Sequence, residues 1–118
     1  MKILCLILFC LMTLLFGGCA HAPHEQAAVP GAIVIDVRTE AEWKDGHLDG
    51  AVLIPHDRIE QGIAVVAPDK KGRIYLYCRT GRRTGLAFDV LKKAGYEDLV
   101  NMGTMENAAR ELKRQIVK

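Results

Sequence analysis

The sequence predicts an α/β domain, in which a small parallel sheet of about four strands has helices on both faces. Short apolar, β-branched runs alternate with amphipathic helical patterns from residue 32 to the C-terminus, and this alternation is typical of parallel sheets. The whole chain has 118 residues, which leaves room for only one such domain. We therefore assign residues 32–118 to a single domain.

The first strand and helix are predicted at the start of this domain. Residues 32–35 are an apolar, largely β-branched run that ends at Asp36, a pattern that indicates a buried strand. Thr39 follows after two residues, and its hydroxyl is suited to cap a short helix that extends through Trp43. Asp36 is therefore expected at the carboxyl end of a strand.

A second strand and helix are predicted in residues 51–67. The apolar run 51–54 ends at Pro55, which cannot donate a hydrogen bond to a sheet. Asp57 is placed to cap a helix from Arg58 to about Ala67. One face of this helix is apolar and contains Ile59, Ile63 and Val66. We expect that face to be buried.

The rest of the domain repeats the pattern after a turn. Residues 73–77 are the third predicted strand, and a helix follows from about Arg82 to Ala94, with Gly95 just beyond its C-terminus. Residues 99–102 are the fourth strand, and a terminal helix is predicted over 105–117. The core-facing residues expected in the longer helix are Leu86, Val90 and Leu91.

Residues 1–18 are predicted to be an export signal. Lys2 precedes an apolar stretch from Ile3 to Phe16, and small residues follow, as in a signal peptide. The stretch is shorter than the roughly 20 residues that span a membrane.

The end of the signal resembles the lipobox of bacterial lipoproteins. Gly17 and Gly18 directly precede Cys19, although Leu15 lies one place earlier than the lipobox usually has it. The resemblance implies that Cys19 carries lipid, that residues 19–31 are a flexible tether, and that the protein is exported to the periplasmic side. Ala20 in place of Asp favours the outer membrane. An ordinary signal peptide cut nearby is the alternative.

Processing of this kind leaves Cys78 as the free thiol of the mature chain. Cys5 and Cys10 leave with the signal, and Cys19 is lipidated. An exported protein usually pairs its cysteines in disulfides, so an unpaired thiol suggests that Cys78 is reactive. The chain has 16 basic and 14 acidic residues, and loss of Lys2 brings the domain close to neutral, which argues against a nucleic-acid partner.

The surroundings of Cys78 indicate a nucleophile. It lies at the carboxyl end of the third predicted strand, and the next helix starts within a few residues. Ligands of parallel sheets bind beyond the carboxyl ends of strands. Loop amides, the positive end of the helix and nearby arginines all favour a thiolate. Those arginines are Arg79, Arg82 and Arg83, and Gly81 permits a tight loop. The alternative is a buried, inert cysteine below solvent-facing arginines.

Several motifs, in the same order and spacing, resemble the rhodanese family. The resemblance covers nearly all of residues 32–105 and is greatest to the short, single-domain periplasmic members. The motifs are IDVR at 35–38, EW at 42–43, GHLDGA at 46–51, IP at 54–55, YCRTGRRT at 77–84, GY at 95–96 and NMG at 101–103. Thr104 stands where the family often has a second glycine, and Asn107-Ala108 stands where it often has a tryptophan.

The resemblance implies a rhodanese-like fold and assigns roles to individual residues. Cys78 is the nucleophile, which takes a sulfane sulfur and becomes a persulfide. The loop amides hold the outer sulfur, and the substrate-binding residues are Arg79, Thr80, Gly81, Arg82 and Arg83. Asp36, Arg38 and Glu42 support the pocket, with an ion pair between Arg38 and Glu42. His47 is interpreted as a packing residue. No cofactor or metal is expected.

The leading hypothesis is a monomeric sulfurtransferase that moves sulfur from thiosulfate or a similar anionic donor to cyanide or a thiol. An envelope persulfide carrier that acts with protein partners would keep the same residues. A phosphatase or arsenate reductase of the same fold needs Arg six residues after the cysteine, where this chain has Thr84. That spacing argues against the third hypothesis.

Overall fold

A computed structural model describes residues 31–118. The predicted signal, the lipidated Cys19 and nearly all of the tether lie outside these residues. The strands are β1 (Ile33–Asp36), β2 (His47–Leu48), β3 (Val52–Leu53), β4 (Ile74–Cys78), β5 (Leu99–Thr104) and β6 (Ile116–Val117). The α-helices are α1 (Glu40–Asp45), α2 (Ile59–Val66), α3 (Arg82–Lys93) and α4 (Met105–Leu112).

The main sheet has four parallel strands in the order β3-β1-β4-β5. Asp36 and Tyr77 are partners in neighbouring strands, so β1 and β4 end side by side. Cys78 pairs with Thr104 of β5 after an irregularity in the register. The predicted four-stranded parallel sheet with helices is confirmed, and the carboxyl ends of its central strands meet at one edge.

The core has one layer on each face of the sheet, because successive strand residues point to opposite faces. Ile35 and Leu76 lie on one face with Ile63 of α2 and Leu91 of α3. The other face contains Val34, Tyr75, Tyr77, Leu48 and Leu112, the last of these from α4. Full burial of each such aliphatic side chain stabilises the fold by about 1.5–3 kcal/mol.

The predicted terminal helix ends earlier than the sequence suggested. α4 ends at Leu112, and Lys113 has a φ of +52°, which turns the chain away from the helical path. Ile116 and Val117 then pair antiparallel with His47 and Leu48 as β6 and β2. The helix predicted to reach Val117 is wrong because this strand pairing replaces its last turn.

Two further predictions differ from the structure. Asp57 does not cap α2: residues His56–Arg58 form a 3-10 turn, and Arg58 precedes the helix without a side-chain capping bond. Leu86 is 45 % exposed, whereas Ala87 and Leu91 are buried. The buried face of α3 is therefore rotated slightly from the predicted face.

The other caps agree with the sequence. The Thr39 side chain accepts a hydrogen bond from the Glu42 amide, and the Glu42 side chain accepts one from the Thr39 amide, which is a capping box. Gly95 follows α3 with a φ of +96°. None of the helices in residues 31–118 is long and apolar enough to cross a membrane.

Candidate active site

The loop between β4 and α3 encloses the Cys78 side chain. Cys78 is the last residue of β4, and α3 begins at Arg82. Gly81 has a φ of +94°, a conformation that suits glycine and tightens the loop. A Cβ atom on Gly81 would lie 3.6 Å from the Gly103 Cα, so β5 closes the loop from the other side.

Hydrogen bonds favour the thiolate of Cys78. Burial by itself raises the pKa of this thiol, but hydrogen bonds to the sulfur outweigh burial, and the net effect lowers the pKa. The Thr84 hydroxyl is the first of these groups, followed by the amides of Thr84, Gly81 and Thr80. The Gly81 amide donates to the sulfur over 2.9 Å. A lowered pKa raises the fraction of thiolate, which is the nucleophilic form.

Cys78 is covered by its own loop. Its exposed fraction is 0 %, while Arg79 and Thr80 directly after it are exposed. The alternative hypothesis was a cysteine that is both buried and inert. Cys78 is buried, but its lowered pKa is not what an inert thiol would have.

Thr84 is a site residue that the sequence reasoning missed. In the sequence, Thr84 belongs to the YCRTGRRT motif and stands where other enzymes of the fold have arginine, but its hydroxyl was given no role at the sulfur. Thr84 is fully buried, and its hydroxyl donates to the Gly103 carbonyl over 3.3 Å. The same hydroxyl is also the largest of the hydrogen-bonding contributions that lower the pKa of Cys78. The available signal was a hydroxyl in the first turn of the helix after the cysteine.

The three arginines of the loop differ in their partners. Arg79 and Arg82 are exposed, and neither has a salt bridge within residues 31–118. Arg83 forms a bidentate pair with Glu42, at 2.7 Å from Nη1 to Oε2 and 2.8 Å from Nη2 to Oε1. The loop therefore offers two free guanidinium groups and one that is already paired.

The predicted ion pair between Arg38 and Glu42 is wrong. Arg38 instead binds the Asp36 carboxylate through Nε at 3.0 and 3.1 Å and through Nη2 at 2.7 Å. Its Nη2 also donates to the Gly46 carbonyl over 2.6 Å. Asp36 ends β1 only two residues earlier, so the Arg38 side chain folds back onto it.

Two residues that depart from the family pattern organise the start of α4. The Thr104 hydroxyl accepts a hydrogen bond from the Asn107 amide over 3.1 Å and caps the helix. The Asn107 side chain donates to the Met102 carbonyl over 2.8 Å. These contacts tie α4 to the end of β5, beside Gly103.

His47 and a surface groove lie apart from the loop. The His47 ring stacks on Trp43 with 3.5 Å between centroids, and its Nδ1 is 2.9 Å from the Trp43 carbonyl oxygen, so His47 makes packing contacts. A groove of about 630 Å³ between β3 and α2 is lined by residues such as Pro55 and Val65, and by no residue of the Cys78 loop.

Comparison with known proteins identifies the class. Residues 20–106 match the rhodanese-like domain, and this chain belongs to that family. It is 35 % identical over 75 residues to the thiosulfate sulfurtransferase PspE of Escherichia coli K12, a match that covers 64 % of this chain and 72 % of PspE. The predicted resemblance to a short rhodanese is confirmed.

Two further relatives bear on the site. A solved structure described as a rhodanese with anions from E. coli superposes with a TM-score of 0.66 at 31 % identity and covers 74 % of this chain and 98 % of its own. YrkF of Bacillus subtilis, named as a candidate sulfur carrier protein, is 30 % identical over 69 residues. This match spans 58 % of the present chain and 36 % of YrkF.

Proposed function

We propose that this protein is a sulfurtransferase that carries a sulfane sulfur on Cys78 as a persulfide. The observation that supports the proposal most is the position of Cys78. This residue ends a central strand of a rhodanese-like domain, and its sulfur accepts a hydrogen bond from the Gly81 amide over 2.9 Å. Hydrogen bonds of this kind lower the thiol pKa and supply the thiolate that a nucleophile needs.

The reaction consists of two displacements. The Cys78 thiolate attacks the outer sulfur of thiosulfate, a new S–S bond forms, and the old S–S bond breaks so that sulfite leaves with the electron pair. Cyanide or a thiolate then attacks the outer sulfur of the persulfide. Cys78 leaves as thiolate, and thiocyanate or a new persulfide is released. Each step exchanges one bond to sulfur for another.

The loop residues would hold the donor and the persulfide. Amides of Arg79, Thr80, Gly81, Arg82 and Arg83 are the proposed cradle for the outer sulfur. Arg79 and Arg82 are exposed and unpaired among the described residues, so their charges are available to a dianion such as thiosulfate. Charge-assisted hydrogen bonds of this type suit an anionic donor and an anionic leaving group.

The activity is tested by turnover of thiosulfate and cyanide by the purified protein. Cys78→Ser should abolish thiocyanate formation with little change in thermal unfolding, because it removes the nucleophile and little volume. Mass spectrometry after thiosulfate should show about one added sulfur on the wild type, which excess thiol removes. Substantial turnover by Cys78→Ser would refute the persulfide.

The exposed Arg82 gives a second test. Arg82→Ala should raise the KM for thiosulfate about tenfold or more, because a charge-assisted contact contributes roughly 1.5–3 kcal/mol. A singly charged donor should be less sensitive to the same substitution. An unchanged KM for both donors would argue that the donor is not held by this charge.

A persulfide carrier is the second candidate, and the similarity to YrkF favours it. A carrier would take sulfur from one protein and pass it to another, and would use the same Cys78. Thiosulfate would then load Cys78 slowly, while a protein-bound persulfide would load it quickly. A phosphatase or arsenate reductase is not proposed, because Thr84 stands where the required arginine would be and is buried.

We also propose that the protein is anchored by lipid on Cys19 at the periplasmic side, with the outer membrane favoured. The sequence motif around Cys19 supports this. Cys19→Ser should release a soluble or uncleaved form, measured by membrane fractionation. A mature N-terminus without lipid in the wild type would refute the anchor.

A further inference from the structure

The pair between Arg83 and Glu42 places a carboxylate beside the active-site loop. Glu42 accepts two hydrogen bonds from the Arg83 guanidinium and two more from the Thr39 amide and hydroxyl, each at 3.0 Å. Both side chains of the pair are largely buried, with 20 % of Arg83 and 26 % of Glu42 exposed. Glu42 is therefore held in one position from two sides.

This carboxylate lies at the same edge of the sheet as Cys78. α1 follows the carboxyl end of β1, α3 follows the carboxyl end of β4, and the two strands are neighbours. Arg83 bridges the first turns of these two helices. The bond to Glu42 is the main reason that the pKa of Arg83 is raised, and the charge of Cys78 also contributes. The pair is thus within electrostatic reach of the sulfur.

We propose that Arg83 acts on the donor indirectly, by neutralising Glu42, while Arg79 and Arg82 supply the charge that the donor meets. Two N–H groups of the Arg83 guanidinium, one on each Nη, already bind the two oxygens of Glu42, so the two opposite charges compensate each other. Without Arg83, the fixed negative charge of Glu42 would face an incoming anion. The proposal refines the donor site of the proposed sulfurtransferase and rests on Cys78 being its nucleophile.

This arrangement predicts opposite effects for the two partners. Arg83→Gln leaves Glu42 unpaired, so it should slow the approach of anions. Glu42→Gln keeps an acceptor for Arg83 and for the capping box but removes the negative charge, so it should speed the approach of anions. In the double variant both charges are gone, and most of the loss seen in Arg83→Gln should be recovered. A direct contact between Arg83 and the donor would give no such recovery.

The test compares two alkylating reagents on the full-length protein. Iodoacetate carries a negative charge and iodoacetamide does not, yet both react with the Cys78 thiolate, so their rate ratio reports the local potential and cancels changes in thiol pKa. Mass spectrometry of the peptide that contains Cys78 gives both rates. One unit charge nearby should change the ratio about threefold or more at low salt. We expect the ratio of the iodoacetate rate to the iodoacetamide rate to fall in Arg83→Gln and to rise in Glu42→Gln. In the double variant the ratio should return close to that of the wild type.

The KM for thiosulfate should follow the same order, with larger changes because the donor carries two charges. Another ion pair, Arg73 with Asp98, gives the control: Arg73→Gln with Asp98→Asn should leave the rate ratio unchanged. Failure of the double variant to recover, or an unchanged ratio in Arg83→Gln, would overturn the proposal. Since alkylation requires no sulfur transfer, this outcome is distinct from failure of the proposed function.

Discussion

The buried ion pair between Asp36 and Arg38 should be the contact whose loss most weakens the domain. The exposed fraction of the side chain is 0 % for Asp36 and 7 % for Arg38. Asp36→Asn keeps the shape but removes the negative charge, so the Arg38 guanidinium remains buried and loses most of its compensation. The carboxylate also accepts the Arg38 backbone amide over 2.9 Å, and the amide side chain can replace only part of this set.

The expected loss follows from the burial of the pair. Removal of one partner of a buried pair costs about 3–5 kcal/mol, because the other charge is left uncompensated. The slope of urea unfolding for small domains is about 1–3 kcal/mol per molar. The urea midpoint should therefore fall by more than about 1 M. Circular dichroism during urea titration, with equal slopes for both proteins, is the appropriate assay.

Asp98→Asn provides the matched control. Arg73 also binds Asp98 through Nε, at 3.0 Å to each oxygen, but the exposed fractions are 35 % and 39 %. Water compensates the remaining charge there, so the midpoint should move only slightly. Equal midpoint shifts for Asp36→Asn and Asp98→Asn would refute the reasoning that burial decides the cost.

Three other predictions concern the thiol, the glycines and acid stability. Thr84→Val should raise the pKa of Cys78, seen as a higher midpoint in the pH profile of iodoacetamide alkylation, because the hydroxyl bond to the thiolate is lost. Gly62→Ala should destabilise the domain, because the new Cβ would lie 2.5 Å from the Ile54 Cγ2, and overpacking costs about 1–3 kcal/mol. In Gly85→Ala the new Cβ meets open space, so this substitution should stabilise α3 by about 0.5–1 kcal/mol. The pKa of Glu42 is lowered, chiefly by Arg83. The ionised Glu42 side chain therefore stabilises the fold fully above the unfolded pKa of about 4.3, and this stabilisation is lost as the pH falls further. The stability difference between wild type and Glu42→Gln should shrink below that pH.

Each of these predictions has an outcome that contradicts it. An unchanged alkylation midpoint in Thr84→Val would mean that the loop amides alone lower the pKa. Equal melting temperatures for Gly62→Ala and Gly85→Ala would show that Ile54 moves without cost. A stability difference between wild type and Glu42→Gln that stays constant from neutral pH to pH 3 would mean that Glu42 titrates alike in both states.

Local sequence signals were sufficient for the sheet and for the position of Cys78, the proposed nucleophile. The four apolar runs correspond to four parallel strands, and Cys78 ends a central one. The cap at Thr39, the tight loop at Gly81 and the helix end at Gly95 were also predicted, because they depend on the residues themselves and their close neighbours. Signals of this kind act over a few residues, so the sequence predicts many of them, although the cap at Asp57 and the burial of Leu86 were predicted wrongly.

Pairings between distant segments were decided by the tertiary structure. Arg83 and Glu42 are 41 residues apart in the chain, and the sequence suggested Arg38 as the partner of Glu42 instead. Which guanidinium reaches which carboxylate depends on how α1 and α3 lie against each other at the sheet edge. The strand pair of His47–Leu48 with Ile116–Val117 is a similar case, because two-residue strands carry almost no local signal. The sequence thus determined the fold and the place of Cys78 at the end of a central strand, whereas the packing of the helices decided which charged groups pair around it.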